Sequence, residues 1–505
     1  MEHAQFRFRL RTEIQNDGVA LLDRLTGTSY PLDSVGRAIV DACREEYCGN
    51  DLIGGVMSVC GADRARVERE LHQMLLLGLF DGTGVAARER LHRYTSGETL
   101  PLVVLDGSRF SCQNTGACCR GYVFGAISMV EKARIEALNP REHLPHLSDQ
   151  PLFVDMQSGT DQPVYQLGML GDACVFLEDG PRCGLHRAFG AASKPTLCQL
   201  YPLAAVATID GLKIYDRGEC AAFAVTATTG DLLGQQGSRI RSLVDQGLYH
   251  PIVRLHRAWR CDYGLILMLA RRLDREAQAR WPMAALHSMG HITRHWIAAL
   301  TCCPFEMGQP DAASTRALAV SAEAAHPGEA SVGSQAHTGL EAMATMARGL
   351  AERAAPNEAL TPAFRSAALR LAEMCRASLS DGRLSPPDRV PLTFALPNHA
   401  NETLRLSIRQ QLFGRELLLD DDLPAGLLRL AFIVALTCAG AELRSHHDGV
   451  DSIKSSHVSA SHMVARRMLH RPEPHRLLRA NADLVWCVLD ALPLIRADRS
   501  SPGEA

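Results

Sequence analysis

Seven cysteines and one histidine fall within about a fifth of this 505-residue chain. They stand as Cys112-x5-Cys118-Cys119, then Cys174-x8-Cys183-x2-His186-x11-Cys198, and then Cys220. Thiols grouped so densely bind metal, pair as disulfides or carry redox chemistry. The choice among these depends on compartment. The opening residues Met1-Glu2-His3-Ala4-Gln5-Phe6-Arg7 lack a basic stretch followed by an apolar one, so they do not read as a secretory signal. The most apolar stretch, Leu427 to Gly440, carries Arg429 and is too short to span a bilayer. The expectation is a cytoplasmic protein outside the membrane. In a reducing compartment sixteen cysteines argue against a disulfide framework, and their local grouping argues for metal. A net charge of -3 supplies no overall field for nucleic acid.

The spacings set what such a site can be. Adjacent Cys118 and Cys119 point to opposite sides on an extended chain, so they serve one ion only if the backbone turns, and Gly116 permits such a turn. Otherwise each thiolate serves a different centre. The x2 spacing of Cys183 and His186 puts two side chains on one side of a metal. Thiolate plus imidazole suits zinc, whereas four thiolates suit an iron–sulfur cluster such as 4Fe-4S. Seven local thiolates supply one four-thiolate cluster with three left over, or two mixed sites. The candidate ligands are therefore Cys112, Cys118, Cys119, Cys174, Cys183, His186, Cys198 and Cys220. Cys302-Cys303, ahead of Pro304, reads as a bystander pair.

A chain this long divides into two to four domains. The alternation in Phe6-Arg7-Phe8-Arg9-Leu10-Arg11 marks a strand, Val19 to Asp23 a second, and Ser29-Tyr30-Pro31-Leu32 a third. Asp33-Ser34 then offers a helix N-cap. Helical spacing follows over Val35–Tyr47, Leu52–Val59 and Ala62–Leu77. Cys43, Cys48 and Cys60 lie on or between these helices as core or bystander thiols. The polar, Arg- and Gly-rich stretch 81–100 and the Ala/Gly/Ser/Pro-rich stretch 304–338 read as connections. From about 238 to 300 the pattern is helical, with Ile252, Val253 and Leu255 in the core, and helices resume from Leu340 to Ile495. The histidines His446, His447, His457, His462, His470 and His475 suit a solvated helical surface, since a spacing of five between His457 and His462 is poor for one face.

The expected fold class is α+β. A small winged-helix-like domain of three strands and three helices spans 1–82. An irregular Cys-rich metal-binding domain spans 101–225, a helical extension 226–303, and a helical C-terminal domain 339–500.

Two stretches resemble known families. Ala20-Leu21-Leu22-Asp23, Thr26 to Leu32, the helix entry Asp33 to Ile39 and the ending Met74-Leu75-Leu76-Leu77-Gly78-Leu79-Phe80 resemble the PqqD-like peptide-recognition domains of ribosomal-peptide maturation. That resemblance implies that an extended peptide adds a strand to the sheet edge and leans on the third helix. Further on, Phe110-Ser111-Cys112-Gln113-Asn114-Thr115-Gly116-Ala117-Cys118-Cys119-Arg120-Gly121 resembles the opening motif of the YkgJ-type cysteine-cluster family, which includes the FliB-type flagellin lysine-N-methylases. Cys174-Val175-Phe176-Leu177, Cys183-Gly184-Leu185-His186 and Lys194-Pro195-Thr196-Leu197-Cys198-Gln199-Leu200-Tyr201-Pro202 continue it, and Cys220 matches a last family cysteine. This chain departs from the pattern in carrying Thr115 where many members have cysteine, Lys194 for the usual Arg, and Tyr201 for the usual Phe. One full cluster remains comfortable; two do not. More weakly, Leu427–His462 resembles the helical tail of the FliB-type proteins, with His462 at the position of a late histidine.

The resemblances imply a zinc- or iron-binding protein, with an iron–sulfur cluster in the methylase branch and S-adenosylmethionine as its methyl donor. The function expected is binding and modification of a ribosomally made peptide or protein substrate through residues 5–80, by lysine N-methylation or redox chemistry. The alternative is a non-catalytic zinc/iron-binding adaptor that presents a peptide to a partner enzyme. The residues themselves show no S-adenosylmethionine or dinucleotide fingerprint, no phosphate-binding loop and no nucleophile elbow. No catalytic or organic-cofactor-binding residue can be named from them.

Overall fold

A computed structural model describes residues 12–15, 20–23, 28–44, 49–77, 79, 99–120, 127–156, 164–208, 210–244, 252–256, 259–302, 332–354, 360–380, 396–414, 416–418 and 422–494. The first unit is a meander of β1 (Thr12–Gln15), β2 (Ala20–Asp23) and β3 (Thr28–Pro31), antiparallel in that order. Three helices follow, α1 (Ser34–Arg44), α2 (Gly49–Cys60) and α3 (Arg64–Leu76). Tertiary pairing thus forms a strand at 12–15 that alternation did not mark, while the expected strand at 6–11 lies outside the described residues. Helix α1 begins where Asp33 Oδ1 accepts from the Gly36 N–H at 2.8 Å, and α3 where Asp63 accepts from Arg66 N–H. Leu21, Tyr30, Val35, Ile39, Leu52, Val56, Val67, Leu71 and Met74 close its core, and Cys43 is buried among them.

The middle of the chain is built from short elements. β4 (Leu102–Val104) pairs parallel with β11 (Gly211–Asp216), which also pairs antiparallel with β10 (Leu203–Thr208). β5 (Ile127–Ser128), β7 (Val164–Leu167) and β6 (Phe153–Asp155) form a second small sheet, and β8 (Met169–Leu170) with β9 (Ala173–Cys174) a hairpin. Two small apolar clusters result, one around Ile127, Leu144, Phe176 and Leu185, the other around Phe110, Leu203, Ile214 and Leu233. Neither is large, so hydrogen bonds and any bound metal carry more of the local order here than in the helices beyond.

Residues 252–262 correct an expectation. Ile252–His256 (β12) and Trp259–Asp262 (β13) form an antiparallel hairpin instead of a helix. The stretch begins after Pro251 with two β-branched residues, and Arg254 is exposed while Leu255 is buried, which is a period of two. The hairpin joins the N-terminal unit to the rest: the Gln73 side-chain amide donates to the Arg260 carbonyl at 2.7 Å and its oxygen accepts from Arg260 N–H at 3.1 Å.

Among the described residues after 262 the regular elements are all helical. The helices are Tyr263–Ala279, Pro282–Cys302, Val332–Arg353, Thr361–Ser380, Asn398–Phe413, Leu423–His447, Ser455–Leu469, Pro472–Ala480 and Val485–Ala491. They share one core that includes Trp296, Phe364, Leu404, Phe432 and Leu436. Leu423–His447 starts at Asp422, which accepts from Ala425 N–H, and is apolar on nearly all sides. It is longer than the apolar stretch suggests. By length and hydropathy it could cross a membrane, but its apolar window is wholly buried by other helices. The fold is α+β and mostly helical.

Candidate functional site

Five segments deliver the seven cysteines to one place. Phe110 and Ser111 are pinned beside Asp231: Phe110 N–H donates to the Asp231 carbonyl, and the Ser111 hydroxyl donates to the Asp231 carboxylate at 2.8 Å. That anchors the loop carrying the exposed Cys112. Gly116 then turns with φ +66°, and Ala117–Cys119 makes one tight 3-10 turn. The turn brings the Cys118 and Cys119 sulfurs to 3.8 Å, so adjacent residues do face one side. Cys174 ends the β8–β9 hairpin, Cys183 precedes the helix Gly184–Phe189, and Cys198 sits in the helix Thr196–Leu200. Glu131 steadies that last helix by accepting from the Thr196 N–H at 2.8 Å. Cys220 follows β11 and accepts from the Ala222 N–H at 3.4 Å.

All seven, with His186, line one cavity of about 260 Å³, together with Lys194, Gln199, Tyr201, Gln236 and Arg239. No described cysteine is in a disulfide. Cys174 is buried, Cys112 and His186 are exposed, and the rest are half-buried.

The electrostatics are those of a site that holds protons until something replaces them. Burial pushes the thiols of Cys174 and Cys220 up to about 12, and drives Cys198 upward as well. The adjacent pair splits. Cys118 is lowered to about 6, mainly because the Cys119 thiol hydrogen-bonds to it, with Lys194 and Arg467 adding positive charge. Cys119 keeps the shared proton and moves up. A metal must displace several protons to be bound here, so its affinity rises with pH.

The donor set suits a soft metal. A tetrahedral ion with bonds of roughly 2.3 Å holds its sulfurs roughly 3.8 Å apart, and Cys118 and Cys119 meet that spacing. No three cysteine sulfurs lie within 4.8 Å of one another among the described residues; the group of three ligand atoms that does is His287, His291 and Asp490.

Comparison with family models, with curated proteins and with solved structures finds no match to this chain.

Tyr201, which lines the cavity, is held from behind by the far end of the chain. Arg467, on the helix Ser455–Leu469, donates to the Tyr201 hydroxyl at 2.6 Å and to the Glu219 carbonyl at 3.2 Å. Tyr201 in turn donates to the Glu219 carbonyl at 2.5 Å. Its neighbour Arg466 is fully buried, donates to the Arg217 carbonyl and to Gln411, and ion-pairs with Glu416. Asp216 is buried in the same layer. It accepts from Gly218 N–H at 2.7 Å, and burial first, then the negative charge of Glu219, raises its pKa to about 7. The second oxygens of Asp216 and Glu219 have no hydrogen-bond partner among the described residues. Apart from Tyr201, none of these side chains was marked by the sequence reading. The available signal was a pair of arginines, Arg466-Arg467, between apolar Met463-Val464 and Met468-Leu469.

The C-terminal histidines divide. His446 and His447 are exposed, as expected of a solvated surface. His457 and His462 are buried, which that reading did not foresee, because the helix carrying them packs against Leu423–His447 and Asn398–Phe413 on both sides. His462 is 2.7 Å from Ser407 Oγ and 3.2 Å from Thr437 Oγ1, and it stacks on Phe223. Burial lowers its pKa to about 3, so it is a neutral packing residue outside the cysteine cavity. Cys303 lies outside the described residues, and so does the Cys302 side chain.

Proposed function

We propose that the cysteine cavity holds an iron–sulfur cluster and that the protein binds a ribosomally made peptide or protein substrate and modifies it. Cys112, Cys118, Cys119, Cys174, Cys183, Cys198 and Cys220 are the thiolates from which four ligands are drawn, with His186 at the rim. The observation that carries this reading is the convergence of seven thiols from five separated segments on one cavity. Thiols scattered as small apolar core residues do not line a shared space with Lys194 and Arg239 among them. The cluster would supply redox or Lewis-acid chemistry. The chain's own residues hold it, screen its negative charge with Lys194, Arg239 and Arg467, and close it off behind Tyr201.

The polypeptide substrate rests on the N-terminal unit. Among the described residues β1 and β3 each have a single neighbour, so each offers an edge to an added strand. A PqqD-like, winged-helix-like reading of this unit and a cytoplasmic location belong to the same proposal. So does lysine N-methylation with S-adenosylmethionine as donor, which rests on the resemblance to the FliB-type methylases alone. A substrate tethered at residues 5–80 reaches the cavity at high effective concentration, and weak contacts at the modified residue then suffice.

The second reading, a non-catalytic zinc-binding adaptor, is favoured by one distance, the 3.8 Å between Cys118 and Cys119. Anaerobic purification separates the two. A brown protein with about four irons per chain and label transfer from S-adenosylmethionine to a peptide, lost on deleting residues 5–80, supports the enzyme. A colourless protein with zinc and no iron rejects it.

A further inference from the structure

We propose that His287, His291 and Asp490 form a second metal site, for a divalent first-row ion such as zinc, away from the cysteines. Two imidazoles four residues apart lie one above the other on the helix Pro282–Cys302. Asp490 comes from the helix Val485–Ala491, almost two hundred residues later. The helices approach closely at Gly290, where an added Cβ would meet the Leu489 side chain at 2.6 Å. One ligand atom from each of the three residues lies within 4.8 Å of the others.

The distances suit a shared ion. His291 Nε2 is 2.9 Å and His287 Nδ1 3.6 Å from Asp490 Oδ1. Donor atoms around a tetrahedral ion with bonds of roughly 2.0–2.1 Å stand roughly 3.3–3.4 Å apart, between the two observed values. His291 Nε2 is buried and, despite the nearby carboxylate oxygen, lacks a hydrogen bond among the described residues. A lone pair aimed past the carboxylate toward a common point has that geometry. His287 Nδ1 also lies 3.2 Å from the Leu489 carbonyl, so ligation through this nitrogen displaces a backbone hydrogen bond. The rings stand edge to face with centroids 4.6 Å apart, and both side chains keep some exposure, which leaves an entry path. With three protein ligands the fourth position falls to water. The ion ties the last helix to the middle of the chain.

The test is cobalt(II) titration of the full-length protein against His291→Gln and, as a milder change, His287→Asn. The wild type is expected to take up one more equivalent than either variant. That equivalent should give weak d–d bands without the intense sulfur-to-cobalt charge transfer of a thiolate site. Affinity at this site should fall by more than about 100-fold in the variants, beyond the tenfold to hundredfold seen for outer-shell changes, while thiolate-bound cobalt is unchanged. Zinc should raise the unfolding midpoint of the wild type more than that of His287→Asn. Equal uptake and equal midpoint shifts in wild type and variants would overturn the site. The cysteine reading stands or falls separately, on the charge-transfer bands.

Discussion

Gly116→Ala tests whether one tight turn builds the metal site. Gly116 has φ +66°, and an added Cβ would lie 2.9 Å from the Pro181 backbone Cα and 3.3 Å from its Cβ. The left-handed conformation costs a non-glycine residue about 1–2 kcal/mol. The collision adds about 1–3 kcal/mol, because the opposing atoms are backbone and ring and cannot rotate away. Together about 2–5 kcal/mol oppose the turn that brings Cys118 beside Cys119. A suitable control is Gly449→Ala. Gly449 has φ +65° with nothing within 4 Å, and it follows the helix Leu423–His447. It bears the conformational cost alone and should keep full metal content. The assay is iron, sulfide and zinc per chain after anaerobic purification, with urea unfolding of both variants. If Gly116→Ala retains metal and unfolds within about 1 kcal/mol of the control, the turn does not organise the site.

Three further outcomes follow from the same geometry. Cys118→Ser and Cys198→Ser should each lose metal and loosen the middle region, whereas Cys375→Ala, in the helical core, should keep a full complement; equal metal in all three would remove the cavity as the site. Arg467→Met should destabilise by about 2–4 kcal/mol, since Tyr201 and the Glu219 carbonyl lose a buried charged donor, and in metal-free protein it should shift the pH midpoint of Cys118 alkylation upward; an unmoved midpoint would take Arg467 out of the thiol's environment. Asp216, raised from 3.8 to about 7 in the folded chain, favours folding when protonated, so its contribution is complete below pH 3.8 and is lost as pH rises through 7. The roughly three-unit shift corresponds to about 4 kcal/mol, so Asp216→Asn should match wild type at low pH and exceed it in stability by a few kcal/mol near pH 8; a pH-independent difference in urea unfolding would show that Asp216 does not titrate there.

The parts legible in the sequence were those decided by neighbours along the chain. Asp33 capping α1, Gly116 turning before the paired cysteines, and Cys183 opening a helix toward His186 are all local, and each could be argued from residue type and spacing. The hairpin at 252–262 was missed because Ile252, Val253 and Leu255 satisfy a helical stripe as well as an alternation. Contact with α3 through Gln73 lies with the strands, and no window on the sequence contains it. His457 and His462 were assigned to solvent because five is a poor spacing for one face. That argument fails on a helix packed on several sides, where no face is left to water. His287 and His291 had the favourable spacing of four and were passed over inside an apolar helix, since Asp490 comes from far along the chain.

Arg467 reaches Tyr201 across 266 positions of sequence. During synthesis the cysteines therefore emerge long before the helix that closes the space behind them. A nascent chain halted ahead of residue 455 carries all seven cysteines of the cavity and lacks the Arg467 contact behind Tyr201. On the proposed reading, a metal would meet a complete set of surroundings only after the helix Ser455–Leu469 has been made.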